Sequence, residues 1–118
     1  MIKALAALLL TTVPVVAQTW GQRDSDTLFD QTSLDTLLRG ETIIFFDDGE
    51  SRFFEDGRYT YTYANNGGTG YGYFTVMEDS TICIEFVTGF SRCDLYVTDG
   101  QGRLTIITSS GDRFPTRH

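Results

Sequence analysis

From Glu41 onward, short runs of β-branched and aromatic residues alternate with clusters of Gly, Asp, Asn and Ser. The runs are Ile43 to Phe46, Arg52 to Phe54, Tyr59 to Tyr63, Tyr71 to Met77, Ile82 to Val87, Asp94 to Thr98 and Leu104 to Thr108. Each has strand length, and they recur about every ten residues, which predicts a sandwich or small barrel built as an antiparallel meander. Between them stand Asp48-Gly49, Asp56-Gly57, Asp99-Gly100 and Asn65-Asn66-Gly67-Gly68. Such pairs tolerate the positive φ angles of tight hairpins. Phe114 belongs to a final edge segment that Pro115 ends.

Upstream the period changes. Leu34, Leu37 and Leu38 follow i, i+3, i+4 spacing, with Ser33 as N-cap and Gly40 as the stop. The expected fold class is therefore all-β, an antiparallel barrel or sandwich of about six to eight strands, with one short N-terminal helix covering an opening. The single β domain runs over 33–115, with a loosely ordered polar segment over 18–32 and a tail over 116–118.

The chain begins with a different pattern. Met1-Ile2-Lys3 is short and basic, Ala4 to Leu10 is unbroken apolar sequence, and Val15-Val16-Ala17 sets small residues before Gln18. That is the layout of a secretory signal peptide over 1–17, cut near Ala17/Gln18. The apolar run is shorter than the about 20 residues of a membrane span, and no second one follows, so no membrane span is expected in the mature chain. The expected location is the periplasm or the medium.

Export changes the reading of charge and of cysteine. Lys3 is the only lysine among nine basic residues, so removing 1–17 leaves eight arginines against sixteen carboxylates, a net charge of −8. Nucleic acid and anionic membrane surfaces would repel such a chain. The charge permits a basic protein partner, a cation, or no charged partner at all; the partners expected are a basic envelope or secreted protein, or a glycan. Cys83 and Cys93, an even pair at close spacing in an oxidising compartment, read as a disulfide. If they face each other directly, Ile82, Ile84 and Phe86 share a face with Arg92 and Asp94, while Leu95 and Val97 fall on the other. The conflict predicts either a bulge or a diagonal cysteine pair.

Candidate chemistry is sparse. The only histidine, His118, ends the chain, where a triad or Cys-His pair lacks a holder. The aspartates of the turns lack the alternating D-x-D-x-D pattern of a calcium loop, and two cysteines with one terminal histidine do not make a zinc site. No metal or other cofactor and no catalytic residue is expected. Glu41, Glu50, Glu55, Glu78 and Glu85 are carboxylates available for glycosidic hydrolysis in principle, but most flank turns, and Glu85 reads as an outward residue or a partner for Arg92.

The tyrosines form the most suggestive constellation. Tyr59, Tyr61 and Tyr63 alternate along one strand, and Tyr71 and Tyr73 along the next. A register with Tyr61 opposite Tyr73 merges all five into one aromatic patch suited to a sugar or peptide. The competing expectation is plain sheet packing, with Thr60 and Thr62, or Phe74 and Val76, turned to the core.

Leu38-Arg39-Gly40-Glu41-Thr42, Phe54-Glu55-Asp56-Gly57, Gly72-Tyr73-Phe74-Thr75-Val76 and the Cys83/Cys93 pair resemble the L-x-G-x-T, F-x-x-D-G, G-x-W-x-V and C…C motifs of a group of small exported proteobacterial proteins. The likeness covers about Leu34 to Ile107, with Phe74 at the usual tryptophan position. It implies a Gram-negative envelope and a small β fold, and no reaction. In architecture alone the expected fold is similar to periplasmic lysozyme inhibitors and lipocalin-type barrels. The functional expectation is an exported binding or inhibitory module that recognises a protein or glycan without catalysis. The alternatives are an envelope accessory protein without a specific ligand and, last, a small carboxylate-dependent hydrolase.

Overall fold

The structure is a computed structural model that describes residues 20–118; the expected signal peptide lies outside the described residues. Nine strands and one helix follow in order: β1 (Thr27–Leu28), α1 (Gln31–Leu38), β2 (Thr42–Ile44), β3 (Glu50–Phe53), β4 (Arg58–Thr62), β5 (Thr69–Val76), β6 (Thr81–Phe86), β7 (Ser91–Thr98), β8 (Leu104–Ile107) and β9 (Arg113–Pro115). Strands β2 to β9 form one antiparallel meander in chain order, and β1 adds to β7. The expected all-β class holds, in the form of a single curled sheet.

The curl brings the sheet's ends together. Phe45 bridges Thr116, and the Arg117 amide donates to the Ile44 carbonyl at 2.9 Å. On the other side the Thr116 amide donates to Leu104 O, and Leu104 N–H donates to His118 O. Residues 116–118, expected as a tail, thus lie between β8 and β2, with Thr116 fully buried. β9 ends at Pro115 as expected, and only the isolated Thr116 bridge and the backbone bonds of 116–118 continue beyond it. Strand edges left open are costly, and this seam covers the one that β2 would expose.

Successive hairpins alternate between two ends. The turns after β3, β5 and β7 share one end with α1, which leads into β2. There Leu34 and Leu38, fully buried, pack among Ile43, Phe53, Phe74, Val76, Ile82 and Leu104. Leu37 faces solvent. Asp30, rather than Ser33, is the N-cap: its carboxylate accepts the Ser33 amide at 2.8 Å. Gly40 takes φ +84°, the left-handed stop expected of it. Gln31 donates to Val76 O and Arg39 to Glu55 O, fastening the helix across two hairpin turns.

Residues 20–30, within the segment expected to be loosely ordered, make specific contacts with the sheet. Trp20 joins Leu95, Val97 and Ile107 in a second apolar cluster on the outer face of β7 and β8. β1 pairs with β7 (Leu28 opposite Val97). Asp26, its side chain fully covered, takes both forks of Arg113 at 2.7 and 2.8 Å, and Phe29 N–H donates to buried Ser80 Oγ. These contacts settle the cysteine conflict. Cys83 and Cys93 are bonded and directly opposite, Cα atoms 4.0 Å apart, within an unbulged ladder. Leu95 and Val97 do face outward, but the outer face there is a second core. Arg92 and Asp94 accordingly point inward.

Candidate functional site

The turns after β2, β4, β6 and β8 surround the opposite end, which no helix of the described residues covers. There the curled sheet encloses a cavity of about 450 Å³. Its apolar wall comes from Phe45, Tyr59, Tyr61, Ile84, Phe86 and Ile106, with Tyr63 and Phe114 at the rim. Its polar lining is Ser51, Arg92, Asp94 and Tyr96 inside, and Asp47, Thr108, Ser109, Ser110 and Asp112 around the mouth.

Strand β5 explains why there is room. It reads Gly70-Tyr71-Gly72-Tyr73, and the register sets Gly72 opposite Tyr59 and Gly70 opposite Tyr61. The glycines face inward, so the rings of Tyr59 and Tyr61 meet no side chain across the ladder. A Cβ at Gly72 would strike the Glu85 carbonyl, and one at Gly70 would sit 3.2 Å from the Phe86 ring. A Cβ at Gly49 would collide with the Tyr61 hydroxyl. Small residues here shape the cavity.

The five tyrosines are therefore split between two faces. Tyr61 stands opposite Gly70, not Tyr73; Tyr73 stands opposite Arg58, and Tyr71 opposite Thr60. Tyr59 is buried inside, Tyr61 is half-buried in the mouth, and Tyr63 continues to the rim, its ring 4.8 Å from that of Tyr61. Tyr71 and Tyr73, 59 % and 58 % exposed, point away from the cavity on the outer face. The inward turn of Phe74 and Val76 dictates this, since strand neighbours alternate. The single five-ring patch does not form. Cys83 and Cys93 also lie on the outer side.

Inside, the aromatic rings interlock edge to face: Phe53 with Tyr59 at 5.2 Å, Tyr59 with Phe86 at 6.1 Å, and Phe45 with Tyr61 at 6.0 Å. The Tyr59 hydroxyl shares a 2.7 Å hydrogen bond with buried Ser51. Burial pushes the Tyr59, Tyr61 and Tyr96 hydroxyls above the ordinary tyrosine range, so all three are neutral at physiological pH. Arg92 grips Asp94 with two forks, Nε to Oδ2 at 2.8 Å and Nη2 to Oδ1 at 2.9 Å. That bonding raises the arginine's already high pKa further. Glu85 is not the partner of Arg92; it is exposed opposite Ser91.

Tyr96 is the residue that sequence reading missed. It is 5 % exposed, and its hydroxyl takes no hydrogen bond from the described residues. Every side-chain polar atom sealed from solvent among them has a partner, so the Tyr96 oxygen opens on the cavity that the residue lines. Its parity with Arg92 and Asp94 was the available signal: all three alternate along β7, two of them charged on a strand that is otherwise apolar. His118 is not frayed. Its Nε2 accepts the Ile44 amide at 3.1 Å, outside the cavity, as part of the seam.

No protein family, curated protein or solved structure matches this chain at a significant level.

Proposed function

We propose that this protein is an exported binding module without chemistry of its own, and that its site is the open end of the curled sheet. The observation that carries the reading is the cavity: aromatic walls, a few convergent polar groups and one open mouth are the usual make-up of a ligand site. Its volume sits at the lower end of the about 300–1,000 Å³ such sites span. The mouth would take one protruding element of a larger partner, a glycan end or a side chain from a protein loop. The charged groups inside already satisfy each other as the Arg92–Asp94 pair, and the chain's histidine is spent on the seam; both favour binding over acid–base catalysis. Export rests on the composition of residues 1–17, and the Cys83–Cys93 bond agrees with an oxidising compartment.

Retention from an envelope extract tests the proposal. Immobilised protein is expected to retain a saturable component that Tyr61→Ala with Phe86→Ala loses. Tyr71→Ala with Tyr73→Ala, altering only the outer face, should keep it. Equal retention by all three proteins would refute the cavity as the site.

A further inference from the structure

The lining groups restrict the chemistry of the occupant, and on the reading of the cavity as a binding site we infer that its ligand is a neutral sugar, one or two rings at the end of a glycan or free. Among the described residues the cavity lining carries Asp47, Asp94 and Asp112 against the single cation Arg92. The chain as a whole is also acidic, net −7, so an anionic ligand meets repulsion both at a distance and on contact.

A cation meets a different obstacle. Arg92 uses Nε and Nη2 on Asp94, which leaves Nη1, a pure donor, without a partner among the described residues. An ammonium or guanidinium, itself only a donor, could pair with the rim carboxylates but would offer Nη1 no acceptor. At the rim Asp47 accepts the Gly49 amide and Asp112 the Ser110 hydroxyl, and their exposed carboxylates can accept further donors. The Tyr96 hydroxyl, open on the cavity, can act as donor or acceptor. A hydroxyl group is both at once, and a pyranose offers several around one ring.

The apolar side of the site points the same way. Phe45, Tyr61 and Phe86 line the cavity, and aromatic rings offer the apolar surface against which the C–H face of a sugar packs, next to polar groups that address its edge. The Tyr96 hydroxyl, open on the cavity and without a partner among the described residues, can bond a sugar hydroxyl as donor or as acceptor.

Backbone-amide NMR of the ¹⁵N-labelled protein provides the test. The probes are glucose, galactose, N-acetylglucosamine and the β-1,4 disaccharides of glucose and N-acetylglucosamine, with glucuronate and a tri-arginine peptide as charged comparators. At least one neutral probe should shift the amides of Tyr61, Phe86, Arg92 and Tyr96 saturably, with little change when salt rises tenfold. Glucuronate should bind more weakly than its neutral counterpart. Tyr96→Phe, which deletes only the oxygen, should weaken binding about five- to tenfold, the worth of one hydrogen bond. Tyr61→Leu, at the mouth and half-exposed, should weaken it as well, and serves if the first variant does not fold. Cavity shifts from tri-arginine but from no neutral sugar would overturn the sugar assignment and leave the binding cavity standing. Silence from every probe would overturn both. Shifts confined to Tyr71 and Tyr73, or wild-type affinity in both variants, would also overturn the assignment.

Discussion

Replacing Arg92 by methionine should destabilise the protein far more than replacing its partner Asp94 by asparagine. The pair is asymmetric: the Asp94 side chain is 12 % exposed and that of Arg92 is 44 % exposed. In Arg92→Met the carboxylate loses both guanidinium bonds and is left against aromatic walls. Stranding one member of a fully buried pair costs about 3–5 kcal/mol. Here the cavity mouth admits water to the carboxylate, which reduces the expected loss to about 2–3 kcal/mol. For a domain of this size that corresponds to about 10–20 °C in Tm. In Asp94→Asn the uncharged amide stays in place and the half-exposed guanidinium rehydrates through the mouth, so about 0.5–1 kcal/mol is expected. The double variant carries neither charge and should be more stable than Arg92→Met alone, a coupling of about 1–2 kcal/mol. Urea denaturation followed by circular dichroism at pH 7, with the disulfide intact, measures all four proteins. Equal losses for the two single variants, or a double variant equal to their sum, would refute this account of the cavity electrostatics.

Two further outcomes follow from contacts away from the cavity. Asp26→Asn should cost about 2 kcal/mol at pH 7, because the two charge-assisted bonds from Arg113 clip the N-terminal segment to β9. Those bonds are the main reason the Asp26 carboxyl lies below its usual range. Its contribution is therefore complete above the unfolded-state value and disappears as pH falls through the lower folded-state value. The gap between parallel melts of the two proteins should begin to narrow below about pH 4 and close as the folded-state carboxyl protonates; a constant gap down to pH 2 would contradict the role. Cys83→Ala with Cys93→Ala should lower stability by about 2.5–3 kcal/mol, the entropy of the closed loop. It should leave ligand binding unchanged, since both sulfurs lie on the outer face; a changed affinity would show coupling between the faces.

Most of the strands, the hairpin turns and the helix stop at Gly40 are legible in the chain itself. Each follows from residues within a few positions: β-branched and aromatic alternation, Asp-Gly and Asn-Gly pairs, leucines at helical spacing. The disulfide is legible too, from two cysteines alone. Register is a different matter. Tyr61 faces Gly70 rather than Tyr73, and no local preference separates those pairings. The interior glycines at 70 and 72 were a readable clue, because an inward strand face that alternates glycine leaves space for rings from its neighbour.

What only tertiary structure decided is which side of each strand is inside. A period of two divides residues into two faces but does not name the buried one. On β7 both faces are buried: Tyr96 lies toward the cavity, while Leu95 and Val97 lie under Trp20, more than seventy positions away in the chain. The inward placement of Arg92 and Asp94 follows from that outer cover. So does the seam, where Thr116 and His118 become sheet residues because β2 needs partners across its free edge. Local sequence sets the conformation of a segment. Burial, which ranks faces and chooses partners, depends on what the whole chain brings to either side.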